Sequence, residues 1–296
     1  MKEILGAIAL VLGGVGAAAC PAAGGEGPAL RVLSERTVGG FEFPESVECD
    51  VPRQVLYVSQ FVSALKPTEK DGQGKISKVS LTGEVLEDKF LPGPGDVLHK
   101  PKGIWAEGNR LWVTDIDVAW VFDLTTRQGR KVALPGVQFA NDPTVNGNAL
   151  YVSDNRGDQL FRVEPADFLD LKGEPRVTRV LAGKSVYPNG LWPAPHGVII
   201  TVGRGISSLS PQGELKTLSP ALGRLDGVYL MDDMSLLVTD WNTGALAHWS
   251  PQGGMRTLTA GFKGPADFCV MPDREGLLVV VPDLVQSQLR FIRLPK

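Results

Sequence analysis

Short apolar runs, five or six residues long and set off by polar turns, recur along the whole chain. The clearest are Val55-Leu56-Tyr57-Val58-Ser59, Leu111-Trp112-Val113-Thr114-Asp115, Leu150-Tyr151-Val152-Ser153-Asp154, Val198-Ile199-Ile200-Thr201-Val202 and Leu236-Leu237-Val238-Thr239-Asp240. Their β-branched and aromatic content suits strands covered on both faces. Further strands are expected after them, such as Ala119 to Asp123, Gln159 to Val163 and Ala245 to Ser250. Turns rich in Gly, Pro and Asp separate the runs, and Ser210-Pro211-Gln212-Gly213 has a near copy in Ser250-Pro251-Gln252-Gly253. No segment carries a sustained 3.6-residue period, and only Pro165 to Leu171 could form a helical turn or two. The pattern predicts an all-β fold.

A longer period lies over the short one. Tyr187-Pro188-Asn189-Gly190-Leu191-Trp192 reads as a Pro-Asn-Gly turn running into an apolar strand, and related stretches surround Glu45, Lys102, Asn141, Asp226 and Asp267. The six polar residues stand 57, 39, 48, 37 and 41 positions apart, the length of a four-stranded propeller blade. Six such blades closed in a ring would turn all six residues into one central channel. The last repeat holds three strands, Ala266 to Met271, Gly276 to Val281 and Gln288 to Leu294, so Leu30 to Val38 is expected to supply its fourth and close the ring. Strand direction then gathers His99, Asp115, Asp154, Arg204, Asp240, Trp241 and the long loop Gln60 to Gly74 at the mouth of the channel. A loop of about 15 residues is either a lid or a surface excursion.

Composition narrows the setting. The chain has 296 residues, 43% of them hydrophobic, and a propeller accommodates residues 30–296 as one domain. A net charge of −3, with no Lys/Arg stripe interleaved with aromatics, argues against nucleic acid as a partner. Ile4 to Ala19 is apolar but too short to span a bilayer and has the length of a signal-peptide core, so residues 1–19 are expected to direct export to the periplasm or cell envelope. Ala17-Ala18-Ala19-Cys20 reads as a lipobox with a lipidated Cys20 or as an ordinary cleavage site, and residues 20–29 as a tether. Membrane contact is expected only through such an anchor, and the domain is expected to be a monomer acting on a small molecule. Cys49 and Cys269 fall in the first and sixth repeats, which a closed ring makes neighbours; they form either a disulfide or two small apolar positions in packed strands.

The ring suggests chemistry. Glu45, Asn141, Asn189 and Asp226 are oxygen donors with two negative charges among them, a set that suits Ca²⁺, or another hard divalent cation, better than zinc. The three histidines, His99, His196 and His248, share no spacing and read as surface or packing residues. Asn or Asp before Gly is also an ordinary turn residue. Recurrence at one position of successive repeats, and the presence of Glu45 among them, favours a site.

On these motifs the chain resembles the six-bladed propellers of the senescence marker protein 30, gluconolactonase and luciferin-regenerating enzyme group. The stretches concerned are Pro44-Glu45-Ser46, Asn141-Asp142, Pro188-Asn189-Gly190 and Asp226-Gly227, and the likeness runs from Phe41 to Val281. The resemblance implies that Glu45, Asn141, Asn189 and Asp226 are calcium ligands and that Asp226 is also the catalytic base or nucleophile, with Asp142 and Asp267 in reserve for proton transfer. It implies metal-assisted hydrolysis of a lactone or ester. Phe139 stands where the sugar lactonases of that group carry Arg, and Lys102 adds a cation, so a more apolar or anionic substrate is expected, in a pocket shared with Arg204. The main alternative is a non-catalytic propeller that binds a ligand around a structural calcium ion. A metal-free propeller of the strictosidine-synthase type has no need of the quartet.

Overall fold

A computed structural model describes residues 30–184 and 186–296. The expected signal segment, the tether and Cys20 lie outside the described residues. Twenty-four strands form six four-stranded antiparallel sheets. Blade I contains β2 (Pro44–Asp50), β3 (Val55–Gln60), β4 (Lys75–Ser80) and β5 (Val85–Leu91). Blade II contains β6 (Pro101–Glu107), β7 (Arg110–Asp115), β8 (Val118–Asp123) and β9 (Gly129–Ala133), and blade III contains β10 (Ala140–Asn146), β11 (Ala149–Asp154), β12 (Gln159–Glu164) and β13 (Arg176–Ala182). Blade IV is β14 (Pro188–Ala194), β15 (Gly197–Val202), β16 (Gly205–Leu209) and β17 (Leu215–Thr217); blade V is β18 (Leu225–Leu230), β19 (Leu236–Asp240), β20 (Ala245–Ser250) and β21 (Gly254–Ala260). Blade VI joins β22 (Cys269–Pro272), β23 (Leu277–Asp283) and β24 (Gln288–Leu294) to β1 (Ser34–Gly39).

The protein is therefore a six-bladed β-propeller. β1 pairs with β24 from Ser34 opposite Arg293 to Gly39 opposite Gln288, so the N-terminal strand closes the ring. It begins four residues later than the sequence suggests; Leu30 and Val32 pack on the blade V–VI core instead, outside the ladder. The segment Pro165 to Leu171 forms bends and turns rather than helix. Among the described residues no helix is long and apolar enough to cross a membrane.

Apolar side chains fill the wedges between blades and leave the axis polar. Leu111, Val113 and Trp120 of blade II pack on Tyr57, Ile76 and Phe90 of blade I, while Val58, Leu56 and Val79 of blade I pack on Met271, Val280 and Phe291 of blade VI. This explains the fully apolar second strands, which have neighbours on both faces.

A second link crosses the closing seam. Cys49 on β2 and Cys269 on β22 form a disulfide with a Cα–Cα distance of 5.5 Å, so they are not merely two packed apolar residues. Backbone bonds from Asp267 N to Glu45 O (3.2 Å) and from Val47 N to Asp267 O (3.3 Å) zip the same seam.

Candidate functional site

Bulges deliver the polar residues to the axis. In blades II to V two residues of the innermost strand face one residue of the second strand: Lys102 and Gly103 opposite Thr114, Asn141 and Asp142 opposite Ser153, Asn189 and Gly190 opposite Thr201, and Asp226 and Gly227 opposite Thr239. In blade I, Glu45 is the extra residue between the Pro44–Gln60 and Ser46–Ser59 pairs. A bulge frees a side chain from the alternation of the strand and re-aims it. The facing hydroxyl holds the bulge: Ser59 Oγ accepts from Ser46 N (2.9 Å), Ser153 Oγ from Asp142 N (2.9 Å), Thr201 Oγ1 from Gly190 N (2.8 Å) and Thr239 Oγ1 from Gly227 N (2.9 Å). Thr201 and Thr239 then donate to Asp226 O (2.9 Å) and Ala266 O (3.0 Å) of the next blade.

Pro188-Asn189-Gly190 is thus the bulged start of β14 rather than a turn before it. Its glycine serves close approach: a Cβ on Gly190 would collide with the Asp226 carbonyl oxygen, and one on Gly227 would lie 2.7 Å from Phe268 Cδ1.

Glu45, Asn141, Asn189 and Asp226 all line one cavity of about 780 Å³ at the mouth of the channel, together with Phe139 and Arg204. The Asn141 amide donates to Asn189 Oδ1, and Asn189 Nδ2 donates to Leu225 O (3.0 Å). Trp241 Nε1 donates to Asp226 Oδ2 at 2.7 Å. Glu45 is 7% exposed, and its Oε2 is buried without a hydrogen-bond partner. Burial pushes Asp226 up to about 6, against the pull of Trp241, Arg224 and Asn189. Burial, and then the neighbouring Asp226, hold Glu45 well above the usual carboxylate range, with Lys102 opposing.

Lys102, Asp142 and Asp267 lie outside the lining of this cavity. Lys102 is fully buried, its Nζ 4.3 Å from the Phe139 ring centroid and donating to Lys100 O (3.3 Å); burial lowers it to about 8. Asp142 and Asp267 line a separate polar space of about 10 Å³ deeper in the channel, shared with Glu48 and roughly the size of one water. Asp142 Oδ2 accepts from Leu191 N (2.5 Å) and Asp267 Oδ2 from Ser46 Oγ (2.7 Å). Burial raises both, Asp267 to about 7. These carboxyls tie adjacent blades together beneath the mouth.

The loop-facing aspartates also serve the scaffold. Asp115 accepts from His99 N (2.7 Å) and Lys100 N (2.8 Å), Asp154 from Gln138 N (2.8 Å) and Phe139 N (2.9 Å), and Asp240 from Arg224 N (3.0 Å). His99 packs likewise, its Nδ1 accepting from Gly72 N at 2.9 Å. Sequence reasoning missed Lys100. Its buried Nζ donates to Phe61 O (3.0 Å), Ser63 Oγ (2.7 Å) and Asp71 Oδ2 (2.6 Å), strapping the 61–74 loop over the mouth so that Phe61, Leu65 and Pro67 wall the cavity. The loop is an ordered wall. The adjacent Lys100-Pro101-Lys102 carried no local sign of which lysine turns to the axis and which to the loop.

The donor set fits a hard divalent cation. The quartet supplies two carboxylates and two amides, the orphaned Glu45 Oε2 lacks any donor, and a positive charge would relieve the raised carboxyls. Among the described residues no group of three or more His, Cys, Asp or Glu is arranged to hold a metal, which rules out nothing for a site with two amide ligands.

No protein-family model matches the chain, and no curated protein matches it in sequence. Solved structures do match in fold. Virginiamycin B lyase from Staphylococcus aureus is similar with a TM-score of 0.57 at 13% identity, over 88% of this chain and 99% of that one. A protein of unknown function from Bacteroides thetaiotaomicron gives 0.61 at 12% identity, over 88% and 76%. A chain of the nidogen/laminin complex gives 0.54 at 18% identity, over 71% and 76%. Such likeness establishes the propeller, which an enzyme and a component of a protein complex share, and leaves activity to the site.

Proposed function

We propose that the chain is a calcium-dependent hydrolase of a lactone or ester, working in the mouth cavity. The observation that carries this reading is Glu45 Oε2, buried without a partner in a cavity that Glu45, Asn141, Asn189 and Asp226 all line from the bulged starts of their strands. Glu45, Asn141, Asn189 and Asp226 would hold the cation. When bound, Ca²⁺ supplies Lewis-acid polarisation of the substrate carbonyl.

The protein side of the reaction rests on Asp226. Trp241 Nε1 donates to its Oδ2 and the Asn189 side chain bonds the same carboxylate, so the group is held in place to take a proton from water or to attack. A carboxylate pushed up to about 6 is a stronger base than an ordinary one yet mostly ionised at neutral pH. Phe139 and the apolar wall of Phe61, Leu65 and Pro67 exclude water around the acyl group, and Arg204 stands at the rim. Asp142 and Asp267, outside the cavity, hold the blades rather than the reacting proton. The substrate is a small molecule, and the protein acts as an exported monomer of the cell envelope, attached to a membrane only if Cys20 is lipidated.

Calcium titration of residues 30–296, followed by a screen of lactones and aryl esters with and without chelator, tests the reading. Chelator-sensitive turnover is expected. Calcium binding with no turnover across the screen would instead support a binding propeller with a structural ion, and absence of calcium binding would remove both.

A further inference from the structure

The walls of the mouth cavity divide sharply by charge. Arg156, in the β11–β12 turn, Arg204, in the β15–β16 turn, and Arg224, just before β18, all line it and are all exposed. Of the 16 arginines in the chain, five described ones have neither an ion pair nor a hydrogen bond from the guanidinium, and these three are among them. Elsewhere the pattern differs: Arg110, Arg127, Arg162 and Arg290 each reach a carboxylate. Two of the rim arginines lie on aromatic rings, Arg156 4.2 Å from the Phe139 centroid and Arg224 5.2 Å from that of Trp241. A guanidinium stacked in this way keeps its N–H edge free for a carboxylate.

Across the cavity stand Phe61, Leu65, Pro67 and Leu284, with no charge among them, and Leu65 is 42% exposed. The Asp226 carboxylate on the floor disfavours an anion at the axis, so a negative group is favoured at the rim.

We propose that the mouth cavity binds an amphipathic organic anion, its carboxylate held by Arg156, Arg204 and Arg224 and its aliphatic chain laid against Leu65, Pro67 and Leu284. As a binding property this stands on its own. As a substrate class it rests on the hydrolase reading: an ester or lactone carrying a free carboxylate and an alkyl chain, with the scissile carbonyl between rim and wall at the quartet.

Decanoate, below its micelle concentration and in the presence of chelator so that no cation bridges it to the quartet, is the probe for calorimetric titration. Acetate has the head alone, and decyltrimethylammonium has a comparable chain with the opposite charge. Saturable binding of decanoate with one site per chain is expected, with acetate and decyltrimethylammonium each bound at least tenfold more weakly and with affinity falling as salt rises. Arg156→Ala, Arg204→Ala and Arg224→Ala combined should cost tenfold or more. The side chains are exposed, so folding should survive, and a circular dichroism melt checks it. Leu65→Ser should weaken decanoate while leaving the salt dependence intact. Equal affinity for the two decyl compounds, an unchanged triple variant, or no decanoate binding would each overturn the proposal. The two readings fail separately: turnover confined to neutral esters, with no decanoate binding, sinks only the anion site, while decanoate binding with no ester turned over sinks only the hydrolase.

Discussion

At the scale of single residues, Asp226 and Glu45 share the axis but differ in their surroundings. Asp226 is held by Trp241 through one oxygen, whereas Glu45 Oε2 has no donor at all. Asp226→Asn keeps an oxygen donor of similar shape but loses the base, so turnover at saturating calcium should fall on the order of 10²-fold or more. Glu45→Gln should act through calcium affinity and recover in excess calcium; equal recovery of both variants would reduce Asp226 to a ligand. Gly190 offers a test of architecture alone. Its missing Cβ is the space taken by the Asp226 carbonyl, so Gly190→Ala must push the neighbouring inner strands away from each other. A loss of about 1–3 kcal/mol is expected in a urea titration.

At the scale of elements, the 61–74 loop is held by Lys100, a side chain with no exposure whose ammonium has three oxygen partners. Lys100→Met should leave the blade intact while freeing the loop, so that trypsin cuts after Lys70 and amides of residues 61–74 exchange faster. An unchanged digest would mean that the backbone anchors, Phe61 N to Phe43 O (3.1 Å) and Val62 N to Glu42 O (3.0 Å), suffice. The pH response follows from Asp71. Burial would raise its carboxyl, but Lys100, Ser63 and the Gln73 amide outweigh it and hold it down at about 2. A depressed carboxyl stabilises above its unfolded value, near 4, and loses that contribution as pH falls through the folded one. The strap should therefore hold at pH 5 and loosen between roughly pH 4 and 2, observable as proteolytic sensitivity to pepsin.

At the scale of the whole molecule, the ring is closed by the β1–β24 ladder and by the Cys49–Cys269 disulfide, which spans 220 residues. Cross-linking a loop so long restricts the unfolded chain strongly, and reduction or Cys269→Ser should cost about 2–5 kcal/mol. Equal melting temperatures with and without reductant would contradict this. The axis imposes a second property. Glu45, Asp142, Asp226 and Asp267 are all raised, first by burial, the last two to about 6 and 7. A raised carboxyl holds its proton in the folded state, so these four contribute stability below about pH 4 and lose it as pH climbs through their folded values, about 6 for Asp226 and about 7 for Asp267. His248, lowered by burial, works oppositely, but it is one group against four. In chelator the melting temperature should fall from pH 5 to pH 8. On the proposed reading calcium should reverse much of that fall; a flat profile would show that the axial acids ionise freely.

Periodicity alone carried much of this architecture. Six polar residues at blade-length intervals predicted the ring, and the missing fourth strand of the last repeat predicted its closure, because backbone pairing and the two-residue alternation of strands are written locally. The quartet, too, was legible as one position repeated in four blades. Three things were not. Pro188-Asn189-Gly190 looks locally like a turn, and only the neighbouring inner strand, which leaves no room for a Cβ at Gly190, makes it a bulge. Cys49 and Cys269 could be paired or merely packed until the seam brought their Cα atoms within 5.5 Å. Lys100 and Lys102 are two positions apart in one chain segment, yet one straps a loop and the other lies behind Phe139, and the free arginines at the rim come from three separate connections. Local sequence sets which backbone can pair and with what period; which side chains share a space depends on contacts between residues distant in the chain, and those exist only once the ring is closed.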